Sequence, residues 1–185
     1  MRLGNLFVLS GPSGVGKGTI LSELLKDFND IEYSISATTR KRRKGEVDGE
    51  DYFFISEEKF FEMVKNNQFI EWAEVHNNYY GTPKEYVNKT RQCGKDIILE
   101  IDIQGAKKVR QLYDDAIYIF IEPPSIKELE HRLDVRGSED SKSKATRLNN
   151  ARMELKEKDK YDYAVLNDEI ETAVKQLCSI IIAEK

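Results

Sequence analysis

Cysteine and histidine are scarce in this chain of 185 residues, and neither is grouped. Cys93 and Cys178 stand far apart and outside any metal-ligand spacing, which excludes a disulfide framework and a cysteine-based metal knuckle. They are expected as reduced thiols. His76 and His131 are too few and too isolated to build a metal cluster. No apolar run approaches the length of a membrane span, and no signal-peptide pattern precedes the first apolar run. The expectation is therefore a cytoplasmic protein without a membrane partner. An excess of basic charge is missing too. Lysine and arginine number 29 against 33 acidic residues, a net charge of −4, which argues against a general nucleic-acid binder. Internal repeats and low-complexity tracts are absent. What is present is enough for one domain with small insertions: 39% hydrophobic residues for a core and 34% charged residues for its surface.

Apolar runs at 6–9, 97–101 and 117–121 are nearly continuous, as in strands covered on both faces. Shorter β-rich runs stand at 52–55, 69–75 and 163–166. Helical patterns alternate with them at 17–28, 57–66, 83–92, 104–112, 126–135, 142–158 and 169–183. Thr82-Pro83-Lys84-Glu85 reads as a capping box with proline in the first turn, and Ser125 with Glu128 and Asp168 with Glu171 repeat the spacing. This alternation predicts an α/β domain with a parallel sheet. Two stretches interrupt it. Residues 33–81 carry β-like runs and one helix without crossover spacing, a small α+β insertion. Residues 136–146 are polar and lack large apolar side chains, and are read as part of a mobile lid.

The first apolar run ends in Ser10-Gly11-Pro12-Ser13-Gly14-Val15-Gly16-Lys17-Gly18-Thr19. Strand, glycine-rich turn, lysine and helix in that order form a P-loop. Glycines let successive backbone N–H groups face one point, where a polyphosphate sits. The helix N-terminus adds partial positive charge, and Lys17 a point charge for the terminal phosphates. The usual Ser or Thr after the lysine, a magnesium ligand, is replaced by Gly18. Thr19, or water alone, is left to complete the metal shell.

The insertion carries groups suited to a second anionic ligand. Ser36, Arg40 and Arg43 lie in or beside the basic run Arg40-Lys41-Arg42-Arg43-Lys44, followed by Gly45, Glu46 and Tyr52. Guanidinium forks match phosphate oxygens, and a phenol adds a hydrogen bond without charge. Phe69-Ile70-Glu71-Trp72 and Tyr79-Tyr80-Gly81-Thr82 follow, and Ile101-Asp102-Ile103-Gln104-Gly105 ends the second apolar run. Taken together, in this order and spacing, these motifs resemble the guanylate kinase family over essentially the whole chain. Arg42 departs from the family pattern, which usually has proline there.

The resemblance implies a P-loop NTPase-type parallel sheet flanked by helices, with a small α+β GMP-binding insertion and a helical lid. The implied division is a core of about 1–32, 83–125 and 148–185, an insertion of about 33–82 and a lid of about 126–147. The implied reaction is transfer of the γ-phosphoryl of ATP to GMP, and to dGMP as well, with Mg²⁺, in purine nucleotide metabolism. The implied partners are these small molecules; oligomeric state stays open. Gly11, Pro12, Ser13, Gly14, Val15, Gly16, Lys17, Gly18 and Thr19 would hold ATP, with Asn167 near the adenine unless Asp168 merely caps a helix. Arg40, Arg43, Tyr52 and Tyr80 would bind the GMP phosphate. Ser36, Glu71, Thr82 and Asp102 would read guanine, whose N1–H and N2–H₂ donors suit an acceptor-only carboxylate. Asp102 and Glu100 also compete for a place in the magnesium shell. Lys17, Arg40, Arg132, Arg136 and Arg147 would neutralise charge on the transferring phosphoryl, where a single arginine is worth about 10³ to 10⁵ in rate.

Overall fold

A computed structural model describes residues 2–28, 31–75, 77–135 and 141–185. Five parallel strands form the main sheet: β1 (Leu6–Ser10), β2 (Ile31–Tyr33), β7 (Asp96–Glu100), β8 (Ile117–Glu122) and β9 (Tyr163–Leu166), in the order β2-β7-β1-β8-β9. Their parallel registers pair Leu6 with Ile97, Phe7 with Ile117 and Ile119 with Tyr163. The continuous apolar runs have the meaning expected of them. On β1, Phe7 and Leu9 enter a core with Ile20, Leu24, Ile119, Val165 and Leu177, while Leu6 and Val8 enter another with Val87, Leu99 and Val109. Period-2 alternation thus feeds two cores, one on each face.

Those cores are closed by α1 (Lys17–Asp27), α3 (Lys84–Gln92), α4 (Ile103–Arg110) and α7 (Ile170–Ala183). Further along the chain α5 (Ile126–Val135) and α6 (Ser141–Leu155) pack on each other, and one 3₁₀ turn spans Lys158–Lys160. The second sheet is small and mixed, in the order β4-β3-β6-β5: β3 (Ala37–Thr38), β4 (Phe53–Phe54), β5 (Phe69–Val75) and β6 (Asn78–Pro83). With α2 (Glu57–Lys65) it encloses a third core of Ala37, Phe60 and Phe69, bordered by Phe53, Trp72 and Tyr79.

Two of the three expected helix caps are corrected. Ser125 does cap α5, its Oγ accepting the Glu128 amide at 3.0 Å. Thr82 does not cap α3. It belongs to β6, Pro83 is the N-cap, and the Thr82 hydroxyl donates across the strand pair to Glu71 at 2.8 Å. A carboxylate accepting from a hydroxyl makes a stronger bond than a neutral cap, so it wins the group. Asp168 does not cap α7 either, which starts one residue later with Glu169 as N-cap and no side-chain bond.

Candidate active site

The C-terminal ends of β1, β7 and β9 lie on one side of the main sheet, where parallel α/β folds place ligands. β1 runs into the glycine turn. Gly11, Gly14 and Gly16 all have positive φ (151°, 84° and 98°). At Gly11 a Cβ would stand 2.3 Å from the Ile121 carbonyl oxygen, and at Gly16 2.6 Å from Asn167 Nδ2. Only glycine fits either place. α1 then begins with no side-chain cap and no acidic residue in its first turn, so its first amides keep their capacity for an anion. Lys17 reaches back over the turn, its Nζ donating to the Gly11 carbonyl at 2.7 Å and the Pro12 carbonyl at 3.3 Å.

Behind the turn lies a cavity of about 430 Å³ lined by Gly14, Gly16, Thr19, His131, Arg132, Asn167, Asp168 and Ile170. Asn167 is buried and donates from Nδ2 to the Val15 carbonyl at 2.7 Å. Arg132 bonds Glu128 at 2.9 Å, the Val15 carbonyl at 3.3 Å and the Asn167 carbonyl at 3.1 Å. Arg132 therefore fastens the turn to the end of β9. Arg136 lies outside the described residues, and so does the side chain of Arg147, whose backbone is part of α6.

Across the cleft the small sheet gathers most of the other groups. Arg40 NH2 meets Glu46 Oε1 at 2.6 Å and Arg40 NH1 meets Oε2 at 3.1 Å, a two-pronged pair that also takes the Arg43 amide at 2.7 Å. Each partner holds the other charged: Glu46 titrates below the ordinary carboxylate range because of Arg40, and Arg40 above its usual value because of Glu46. The Arg40 guanidinium stands 5.4 Å from the Tyr52 ring centre, and Tyr52 meets Tyr80 edge to face at 5.9 Å. Arg43 itself is exposed, while Ser36 is half-buried beside β3 with its carbonyl accepting the Phe53 amide at 2.9 Å.

Glu71 and Thr82 form the floor of this side. Burial raises the Glu71 pKa, the Thr82 hydroxyl opposes that rise, and Asp102 adds to it. Asp102 caps α4, its Oδ1 accepting the Gly105 amide at 2.7 Å. A Cβ on Gly105 would lie 3.3 Å from Glu71 Oε2 and 3.4 Å from Asp102 Oδ1, so this glycine lets two carboxylates converge. Glu100, at the end of β7, faces both halves. Its two carboxylate oxygens would lie 3.5 Å from a Cβ at Gly18, and its charge raises the pKa of Tyr33 and Tyr52, after burial in each case.

The turn, Lys17, Asn167 and Arg132 thus cluster on one side of the cleft, and Arg40, Tyr52, Tyr80, Glu71, Thr82 and Asp102 on the other. Two acidic residues had no role assigned from sequence. Glu46 was visible inside the motif after Arg43, and its spacing to Arg40 was the available signal. Glu154, on α6, has its pKa raised by burial with Lys17 opposing the rise, and nothing in its helical surroundings marks it. Among the described residues no group of three or more acidic, histidine or cysteine side chains could hold a metal by itself. No described helix is long and apolar enough to cross a membrane.

A family model described as guanylate kinase matches residues 3–184. A guanylate kinase of Caldanaerobacter subterraneus subsp. tengcongensis is 50% identical over 184 residues, covering 100% of this chain and 89% of the relative. One from Halalkalibacterium halodurans is 52% identical over 181 residues, covering 98% and 89%. Among solved structures, guanylate kinase from Anaplasma phagocytophilum superposes with a TM-score of 0.78 at 36% identity, over 99% of this chain and 87% of that one.

Proposed function

The chain belongs to the guanylate kinase family, an enzyme converting ATP and GMP to ADP and GDP, and on that premise we propose which residues perform the transfer. ATP lays its phosphates in the turn from Gly11 to Gly18, with Lys17 leaving the Gly11 and Pro12 carbonyls for the terminal phosphates. Its adenine enters the cavity bounded by His131, Arg132, Asn167, Asp168 and Ile170, with Thr19 at the edge. GMP places its phosphate among Arg40, Arg43, Tyr52 and Tyr80, and its base against Ser36, Glu71, Thr82 and Asp102.

The observation that carries the guanine reading is the convergence of Glu71 and Asp102 across Gly105, with Thr82 holding one Glu71 oxygen. Guanine offers N1–H and N2–H₂ to these acceptors. Adenine has an acceptor at N1 and no 2-amino group, so it would leave a buried carboxylate facing a lone pair. Sites of this kind discriminate by about 10⁴ or more. None of the described residues is assigned to a 2′-hydroxyl, and on this reading dGMP is an acceptor as well.

The residues present fit a magnesium ion. A hard cation that keeps much of its water shell needs one or two carboxylates and the nucleotide's own phosphates. Glu100 beside Gly18 provides the carboxylate, and Thr19 stays within reach of the nucleotide. When bound, the ion would neutralise charge on the bridging phosphate oxygens. The chain's own contribution is position and charge. Lys17 and Arg40 hold donor and acceptor phosphates, while Arg132, Arg136 and Arg147 supply further positive charge from the lid side. Closure of that side excludes water, the competing acceptor. We place the reaction in the cytoplasm, where ATP is supplied and both cysteines stay reduced.

The test is an ADP-release assay with GMP, dGMP, AMP, UMP and CMP as acceptors. GMP and dGMP turn over and the others are slower by about 10³ or more. Comparable rates with AMP would remove Glu71 and Asp102 from base reading.

A further inference from the structure

Three residues of α4 share one face. Asp102 is the N-cap, and Gly105 and Lys108 follow it at three-residue steps. That face meets β5. A Cβ on Gly105 would lie 3.3 Å from Glu71 Oε2. Lys108 Nζ donates to the Trp72 carbonyl at 2.8 Å and stands 5.8 Å from the Trp72 ring centre. The stretch of β5 that they meet is irregular. Phe69 stands opposite Pro83 and Trp72 opposite Gly81, so β5 takes three steps where β6 takes two. A bulge of this kind bends the strand and re-aims a side chain, and Glu71 lies inside it. β5 also ends the small sheet, with β6 on one side and no second strand beyond it among the described residues. The bulge is therefore braced from outside by side chains or not at all.

We propose that Lys108 is a positioning residue for base reading: from α4 it pins the Trp72 carbonyl, braces the bulge and so fixes where the Glu71 carboxylate points. Glu71 is then held at three places. Thr82 bonds one oxygen at 2.8 Å, Gly105 leaves room for the other, and Lys108 fastens the residue that follows in the chain. An ammonium donor makes a charge-assisted bond, stronger than a neutral donor would make to the same carbonyl. Burial raises the Glu71 pKa and the Lys108 charge opposes that rise, so the same side chain favours the acceptor-only form that guanine needs. Lys108 is exposed and touches neither the base nor the phosphates on this reading; it acts through the strand. The inference rests on the assignment of Glu71 to guanine.

The test measures ADP release, with GMP and ATP each varied, for wild type, Lys108→Met, Lys108→Arg, Glu71→Gln and the double variant of Lys108→Met with Glu71→Gln. Lys108→Met keeps the aliphatic stem beside Trp72 and removes the donor. KM for GMP then rises about threefold to tenfold, while kcat and KM for ATP stay within about twofold. Lys108→Arg restores a charged donor and returns KM for GMP to within about twofold of wild type. In the double variant KM for GMP stays within about twofold of Glu71→Gln alone, because the carboxylate being positioned is gone. An unchanged KM for GMP in Lys108→Met overturns the proposal. So does an equal rise on both backgrounds, which would mark a distant pull on the GMP phosphate instead. Failure of the underlying assignment looks different: Glu71→Gln by itself would then leave KM for GMP unchanged.

Discussion

Two carboxylates stand on the sides proposed for the two phosphate groups, and they are held in opposite ways. Glu46, on the acceptor side, has both oxygens engaged by the Arg40 fork and one of them also by the Arg43 amide. Its pKa is lowered, the mark of a charge at home. Glu154, on the donor side, has one oxygen enclosed without a partner, and its pKa is raised. The same contrast runs through the surroundings. The donor site is made by backbone: positive-φ glycines, a helix start and a lysine resting on carbonyls. The acceptor site is made by side chains on a small sheet, each oriented by another side chain. A backbone cradle is fixed by the fold, whereas a side-chain patch is reset by single substitutions. Base choice therefore belongs on the acceptor side.

The sharpest way to break this contrast is Lys17→Ala. Lys17 is the charged side chain of the turn itself, so kcat should fall by about 10² to 10³ while KM for GMP moves little, measured by ADP release. A loss confined to KM for GMP would place Lys17 in the acceptor site. Next in size is Glu71→Gln. It should raise KM for GMP by about 10²-fold and leave KM for ATP within about twofold. It should also raise the melting temperature by about 1–3 °C at pH 7, because a buried carboxylate with a raised pKa opposes folding while it is charged. The sign follows from linkage. The penalty is present above the folded-state pKa and disappears as pH falls below the unfolded one, so the melting-temperature gap between variant and wild type should close on acidification. Wild-type affinity for GMP should weaken over the same acidification, beginning above the ordinary glutamate range.

How much of this was legible in the sequence follows the same division. β1, β7 and β8 and the turn were readable, because continuous apolar runs and a glycine–lysine spacing are local signals. β2 and β3, three and two residues long, have no period to detect and exist only through their partners. β6 contains Asn78, Gly81 and Pro83, residues depleted in strands, and is a strand because β5 pairs with it, Trp72 facing Gly81. Gly81 is required there: a Cβ would stand 2.8 Å from the Phe69 ring. Thr82 matched a cap pattern that a long-range carboxylate overrode. Glu154 looks like any helix glutamate until α6 docks, so tertiary packing alone gives it meaning.

Gly16→Ala probes the cradle without touching a charge. At φ 98° and 2.6 Å from Asn167 Nδ2, the new methyl group is strained and displaces Asn167 from the Val15 carbonyl. A stability loss of about 1–3 kcal/mol is expected by denaturant titration. KM for ATP should rise and KM for GMP stay put. Arg43→Ala, in the exposed part of the acceptor patch, should cost no measurable stability. Equal losses in the two variants would mean that the cradle is no more fixed than the patch.

Glu46→Gln carries the smallest effect and the most informative sign. An amide retains one acceptor for Arg40 but loses the second charge-assisted bond, and its N–H₂ group would face a guanidinium N–H donor. Arg40 then loses orientation, so KM for GMP should rise by about threefold to tenfold with kcat nearly unchanged. If Glu46→Gln instead lowered KM for GMP, Glu46 would be an anion that the GMP phosphate displaces from Arg40 rather than a brace that orients it.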